Sequence, residues 1–110
     1  MTAKQRDRAN IFAALGDETR LSLVTTLSAG RPHSISRLKE GTQLTRQAIT
    51  KHLRVLESAG MVRSVRLGRE NHFEFDPNSL DEVKEYLDFV SEQWDQALSR
   101  LKSFVEDGTT

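Results

Sequence analysis

Residues 44–62 read LTRQAITKHLRVLESAGMV, and this stretch decides the fold that the sequence predicts. Its apolar residues recur on one face of a helix: Ala48, Ile49, Leu53 and Leu56. Thr45 is a residue type that caps the start of a helix, and Gly60 is typical of the position just after a helix ends. The stretch therefore predicts an amphipathic helix over residues 45–58 with one face turned to a core.

A shorter helical candidate, SISRLKEG, lies just upstream over residues 34–41. Ser34 or Ser36 can cap it, Ile35 and Leu38 point inward, and Gly41 stops it, which leaves a turn of only a few residues. Two helices joined by a turn of a few residues are typical of a helix-turn-helix.

Two more helices are predicted before that motif. Ile11, Phe12 and Leu15 form an apolar stripe that ends at Gly16, and Asp17 is a plausible N-cap for the next helix. The apolar residues of that next helix are Leu21, Leu23, Val24 and Leu27.

The outward face of the helix over residues 45–58 carries hydrogen-bond donors and no carboxylate before Glu57. Arg and Lys side chains bind guanine acceptors in the major groove of DNA, and Gln pairs with adenine. The predicted base-reading residues are Arg46, Gln47, Thr50 and Lys51. Arg54, one turn further on, is predicted to reach a phosphate, and the Thr45 hydroxyl can approach one as well. His52 lies between the two faces and is predicted to be packed and hydrogen-bonded.

After this helix, apolar and polar residues alternate, and this alternation predicts a hairpin over residues 62–76. Val65, Leu67, Phe73 and Phe75 alternate with polar residues around the turn GREN, residues 68–71. The pattern predicts a two-stranded wing with a basic outer face and tip. Its predicted phosphate contacts are Arg66, Arg69 and His72.

Residues 79–106 predict one long helix. Ser79 and Glu82 have the spacing of a capping box. An apolar seam with alternating steps of three and four follows: Leu80, Val83, Leu87, Val90, Trp94, Ala97, Leu101 and Phe104. At 1.5 Å per residue the helix is about 40 Å long, so the shorter helices cannot cover it and a second copy of the chain can. A predicted dimer interface follows: Ile11, Phe12, Leu15, Leu87, Val90, Trp94, Ala97, Leu101 and Phe104. An apolar effector between the helices, near Tyr86, Phe89 and Trp94, is the alternative use of those aromatic side chains.

Composition and charge limit the function classes. The 110 residues have a net charge of zero, yet residues 31–75 hold nine Lys or Arg against four Asp or Glu, whereas residues 76–110 hold three against nine. The basic middle suits a polyanion. There is no cysteine, no apolar run that could span a bilayer and no apolar signal core. A single cytoplasmic domain over residues 1–110, with no membrane contact and no cofactor, is therefore predicted.

Three segments together resemble the ArsR-type winged helix-turn-helix regulators of bacteria: ALGDETRLSLVTTL, TRQAITKHLRVLESAGMV and RLGRENHFEF. The ending WDQALSRLKSFVE is similar to that of a subgroup without metal-binding motifs. The resemblance implies a mainly α fold of about five helices plus the β wing. It also implies a homodimer, joined through its first and last helices, that represses promoters by binding inverted repeats.

Metal sensing of the family's known kinds is not expected for this chain. The metal sensors of this family carry either a Cys-x-Cys pair where this sequence has ISRLKEG, or Asp and His at both ends of the last helix. The last helix here has carboxylates such as Asp88, Glu92 and Asp95 but no histidine, and carboxylates alone hold first-row metals poorly.

The sequence fits two other function classes less well than a regulator. An enzyme needs a nucleophile, a base and a pocket, whereas the three histidines lie on three different elements and no phosphate-binding glycine loop is present. A winged-helix module that binds proteins instead of DNA is the alternative. It would show an apolar or acidic face where this chain has Arg46, Gln47 and Lys51.

Overall fold

A computed structural model of the chain describes residues 2–108, apart from the side chain of Lys4. The described part contains five helices and three short strands. In chain order they are α1 (Ala3–Leu15), α2 (Glu18–Leu27), β1 (His33–Ser34), α3 (Ile35–Lys39), α4 (Arg46–Ser58), β2 (Val62–Leu67), β3 (Glu70–Phe75) and α5 (Asn78–Gly108). The predicted fold, mainly helical with a β wing, is confirmed. The chain divides into two compact units, one ending at Leu80 and the other beginning at Asp81. Whether they form a single domain stays a prediction.

Three predicted helix caps are confirmed. The Asp17 carboxylate accepts from the backbone N–H of Arg20 at 3.0 Å, which starts α2. The Ser34 hydroxyl accepts from the N–H of Arg37 at 3.1 Å and starts α3. Thr45 starts α4 by accepting from the N–H of Ala48, also at 3.1 Å. Each bond satisfies a backbone donor that has no partner inside the helix.

Helix α1 begins earlier than the apolar stripe predicts. Thr2 and Gln5 form a capping box, in which the Thr2 hydroxyl accepts from the Gln5 N–H and the Gln5 side chain accepts from the Thr2 N–H. Within the helix, Ile11 is only 4% exposed whereas Phe12 is 37% exposed. Ile11 therefore offers little surface to a second chain, and its place in a dimer interface stays a prediction.

The core of the unit ending at Leu80 forms around the inner face of α4. Ile49, Leu53 and Leu56 are completely buried, as predicted, and Ala48 is half-buried. Helix α4 packs against α1, α2, α3 and β2. Burial of apolar side chains contributes about 1.5–3 kcal/mol each, so this face fixes the orientation of α4 and leaves its opposite face in solvent.

The sheet differs from the predicted two-stranded wing. It has three antiparallel strands in the order β1-β3-β2, since His33 pairs with Phe73 and Ser34 with His72. A strand of two residues is too short to give a sequence period, so it was not predicted.

The register of the hairpin also corrects the predicted faces. Gly68 and Arg69 form the turn, with Gly68 at φ 63°, and Leu67 therefore pairs with Glu70. In this register Val65 lies opposite His72, whereas Phe73 lies opposite Ser64. Successive side chains of a strand point to opposite faces. Arg66 and His72 thus lie on opposite faces of the sheet, not on one basic outer face.

Helix α5 begins one residue before the predicted cap. Ser79 lies inside the helix, and its hydroxyl donates to the Asp76 carbonyl at 2.8 Å. The Asp76 carboxylate accepts from the N–H of Asn78 at 3.0 Å. The predicted Ser79–Glu82 capping box is therefore wrong, because Asp76 binds the first free N–H. None of the described helices has the length and hydropathy needed to cross a membrane.

Candidate nucleic-acid interface

The N-terminal half of α4 exposes three side chains that donate hydrogen bonds. Arg46, Gln47 and Lys51 are exposed, and Thr50 beside them is half-buried. The Thr50 hydroxyl donates to the Arg46 carbonyl at 2.9 Å, so it retains its acceptor lone pairs for an outside donor. The four predicted base-reading residues thus share one surface at the start of the helix, opposite the buried face.

No carboxylate neutralises the charges at this end of the helix. Throughout residues 2–108, as far as they are described, neither Arg46 nor Lys51 takes part in an ion pair. Arg46 Nη1 donates to the Ser36 hydroxyl of α3 at 3.1 Å, which orients the guanidinium and leaves most of its five donors unused. Such a guanidinium can bind two acceptors of one guanine.

Thr45 combines a structural position with a free donor. Its oxygen accepts from the N–H of Ala48, while its hydroxyl proton can still be donated. A phosphate near the first turn of α4 would meet this proton and the positive end of the helix dipole.

Arg54 lies on the same face, but its guanidinium is already bound to other residues of the chain. Its Nη1 donates to Glu57 Oε1 at 2.7 Å, and its guanidinium lies over the Phe73 ring, 5.8 Å from the centroid. Ser64 donates to the other oxygen of Glu57 at 2.7 Å. The Ser64 hydroxyl, followed by the Arg54 guanidinium, holds the pKa of the Glu57 carboxyl below its ordinary value. This cluster joins the C-terminal end of α4 to β2 and β3.

The wing contains both paired and open arginines. Arg63 donates to Glu74 across the hairpin at 2.7 Å, and this bond raises the pKa of the Arg63 guanidinium. Arg66 and Arg69 are exposed, and neither forms an ion pair with any residue that the structure describes. The predicted tip contacts, Arg66 and Arg69, are therefore available to a phosphate. His72 lies on the other face, half-buried, and its Nε2 donates to Glu70 at 3.2 Å.

His52 is packed and hydrogen-bonded, as predicted. Its Nδ1 accepts from Arg20 Nη1 at 3.3 Å and lies 3.7 Å from the Asp17 carboxylate. Arg20 Nε also donates to the Ala14 carbonyl at 2.7 Å. The backbone N–H of Arg20 is the main cause that lowers the pKa of Asp17. Arg20 therefore ties the end of α1 and the start of α2 to the middle of α4, a role that sequence reasoning missed.

Sequence reasoning also missed three basic or imidazole side chains, Arg31, His33 and Arg37, which line a cleft of about 210 Å³ together with His72. A signal was present, because residues 31–39 contain three Lys or Arg and no Asp or Glu. No group of three or more His, Asp or Glu residues suited to a metal ion occurs in the described part of the chain.

A helix-turn-helix whose second helix begins with a basic outer face, followed by a β wing, defines a DNA-binding protein of the winged helix-turn-helix class. Residues 8–65 match the family described as Helix-turn-helix domain. The chain is 30% identical over 105 residues to HTH-type transcriptional regulator Rv2034 of Mycobacterium tuberculosis. The matched region covers 96% of this chain and 92% of that protein.

Solved structures agree with these matches. An ArsR-like transcriptional regulator from Rhodococcus sp. RHA1 superposes with a TM-score of 0.79 at 35% identity, over 94% of this chain and 96% of that one. A domain from Mycobacterium bovis, described as a homodimeric winged helix-turn-helix DNA-binding domain, has a TM-score of 0.64 at 18% identity, over 81% and 82% of the two chains. The protein belongs to the ArsR family of helix-turn-helix transcriptional regulators.

Proposed function

We propose that the protein is a homodimeric, sequence-specific repressor that binds an inverted-repeat operator through the major groove. The observation that carries this proposal is the start of α4, where Arg46, Gln47 and Lys51 are exposed and neither Arg46 nor Lys51 forms an ion pair with a described residue. Donors at the N-terminal end of an inserted helix are the groups that read base edges. A protein bound to chromosomal DNA works where that DNA is, so the cytoplasm stays the predicted location.

The proposed partner of α5 is a second copy of the chain. Its seam of alternating steps of three and four leaves large apolar side chains in solvent, with Trp94 65% and Phe104 75% exposed. A seam with this period packs against another helix by knobs into holes. Phe12, Leu15, Leu87, Val90, Ala97 and Leu101 complete the proposed interface. Ile11 would add little to it, because it is buried in its own chain.

Two copies related by a twofold axis would present two α4 helices to successive major grooves. Dimer geometry then sets the half-sites about 10 base pairs apart, or a multiple of that distance. A dimer bound across a promoter blocks polymerase by occupying the same DNA. Arg66 and Arg69 at the wing, with Thr45 at the start of α4, would contact phosphates and set the register.

A small-molecule effector is compatible with this proposal and stays a prediction. The rival function, a winged-helix module that binds another protein, is disfavoured by the same observation. Its binding face would be apolar or acidic, whereas the start of α4 exposes the basic side chains of Arg46 and Lys51.

Selection of bound duplexes from a random DNA pool at near-physiological salt tests the function. We expect an inverted repeat to be enriched, and its affinity to fall steeply as salt rises, because phosphate contacts release counterions. A folded protein that enriches no sequence would contradict a sequence-specific regulator and favour the protein-binding module.

Paired substitutions on α5 test the dimer. Leu101→Asp adds a charge to the seam, whereas Ser99→Asp adds the same charge on the polar side of the helix, where Ser99 shares a surface with Glu92 and Asp95. Light scattering after gel filtration should show a dimer for the parent and Ser99→Asp and a monomer for Leu101→Asp. A dimer in all three would contradict the seam as the interface.

A further inference from the structure

The cleft at the root of the wing is a basic site outside the DNA contacts proposed so far. It lies between β1, the start of α3 and β3, and has a volume of about 210 Å³. Its lining consists of Arg31, Pro32, His33, Ser34, Arg37 and His72. Apart from Pro32, every one of these side chains carries a polar group that can donate a hydrogen bond.

The two guanidiniums of the cleft differ from those of Arg54 and Arg63 in their ion pairing. Within the described residues, neither Arg31 nor Arg37 forms an ion pair. Arg54 and Arg63, by contrast, each bind a carboxylate at 2.7 Å. Glu70 binds His72 Nε2 at 3.2 Å and is itself well exposed. The cleft therefore holds an excess of positive charge.

The imidazole of His33 is held in place by the backbone. Its Nδ1 donates to the Arg31 carbonyl at 2.8 Å, which fixes the turn from Arg31 into β1. Ser34 uses its hydroxyl oxygen to cap α3 and pairs with His72 in the sheet. Arg31 and Arg37 thus extend from a braced backbone on both sides of the β1–α3 junction.

The cleft lies between two surfaces that are proposed to contact DNA. Ser36, next to Arg37 in the chain, accepts from Arg46 Nη1 at 3.1 Å, which places the start of α3 beside the base-reading end of α4. His72 belongs to β3, which runs directly from the wing turn that carries Arg69. A DNA strand bound by both α4 and the wing would therefore pass this region.

We propose that Arg31 and Arg37 hold a backbone phosphate of the operator in this cleft, beside each half-site. This inference rests on the proposed function. One guanidinium group can bind two oxygens of a phosphate through parallel hydrogen bonds. Two guanidinium groups around one phosphate therefore match its geometry and its charge. A contact of this kind supplies affinity and register but no base preference.

The double variant Arg31→Gln/Arg37→Gln tests the inference, with Arg63→Gln as a matched control whose guanidinium is bound to Glu74. Affinity is measured across a salt series on the selected operator and on a mixed-sequence duplex. Each phosphate contact contributes about 0.9 to the slope of log affinity against log salt for B-DNA. For the double variant we expect this slope to be less steep by about 1 on both duplexes. The control should have the same slope as the parent. Arg31→Lys/Arg37→Lys should restore the slope, since it restores the charge.

The outcomes separate this inference from the proposed function. If the parent binds no duplex, the proposed function itself fails. If the parent binds and a folded double variant keeps the parent slope, the phosphate contact is wrong while the function stands. Inorganic phosphate is the second probe. If it raises the melting temperature of the parent but not of the double variant, and the DNA slope is unchanged, the cleft binds a small anion and the inference is overturned.

Discussion

The two halves of α4 carry the same kind of side chain for different purposes. Arg46 and Arg54 lie eight residues apart on the outer face of one helix, and both are exposed. Among the described residues the Arg46 guanidinium hydrogen-bonds to the Ser36 hydroxyl, whereas the Arg54 guanidinium binds Glu57 and lies over the Phe73 ring. The basic side chains in the first half of the helix can bind a ligand, whereas those in the second half contact the strands of the wing.

The difference shows that charge on a helix face does not by itself define a DNA contact. A guanidinium that already binds a carboxylate must give up that bond before it can reach a phosphate. The prediction that Arg54 contacts phosphate stays a prediction, and the bonds that Arg54 makes in the folded chain favour a role in joining α4 to β2 and β3.

The largest expected effect comes from Arg46→Ala. Loss of one bidentate base contact costs about 1–3 kcal/mol, or about 5- to 150-fold in affinity for the selected operator. The melting temperature should stay close to that of the parent, because the side chain is exposed and makes one hydrogen bond to Ser36. Fluorescence anisotropy and thermal unfolding measure the two effects. Unchanged operator affinity would remove Arg46 from the reading surface.

Arg54→Ala should give the opposite result. Removing an exposed ion pair and a cation–π contact is expected to lower the free energy of unfolding by about 1 kcal/mol. The salt slope of DNA binding should stay at the parent value. Urea unfolding and a salt series make the comparison, with Arg54→Lys as a variant that keeps the charge. A parent-like stability with a slope reduced by about 1 would restore the phosphate contact predicted from the sequence.

Glu57→Gln tests the same cluster through pH. The pKa of the folded-state carboxyl lies below its ordinary value of 4.5, so the ionised group stabilises the fold above about pH 4.5. That stabilisation is lost as pH falls through the lowered pKa. At pH 7 the variant should be about 0.5–1 kcal/mol less stable than the parent, and the gap should close in acid. Urea unfolding at several pH values measures the gap, and a gap that does not change with pH would contradict the assignment.

The smallest effect is expected at the wing turn. Arg69→Ala should reduce the salt slope by about 1 for every duplex, without changing base preference or stability. Arg63→Ala is the matched variant in the same hairpin. Because its guanidinium binds Glu74, we expect it to change the free energy of unfolding and not the slope. If both variants changed the slope alike, pairing with a carboxylate would not distinguish the two arginines.

Sequence patterns predict those features that depend on near neighbours. Thr45 caps α4, and Ile49, Leu53 and Leu56 are buried, because both depend on spacing within one helix. The hairpin faces were wrong because the turn at Gly68 and Arg69 sets the register, and a shift of one residue exchanges the faces.

The arginine pairings show the same limit. Glu57 lies only three residues from Arg54, and this spacing already allows an ion pair. Ser64 and Phe73 come from other elements and complete the cluster only in the folded chain. The cleft at Arg31 and Arg37 likewise requires His72, which is far away in sequence and is brought close by the pairing of β1 with β3.

The most direct test is a parallel selection from one random DNA pool with three proteins: the parent, Arg46→Ala and Arg54→Ala. The expected result is the same inverted repeat for the parent and Arg54→Ala, and loss of preference at one position in each half-site for Arg46→Ala. Identical base preferences for all three would contradict the assignment of base reading to the first half of α4. A lost position with Arg54→Ala would contradict the assignment of the second half to the wing.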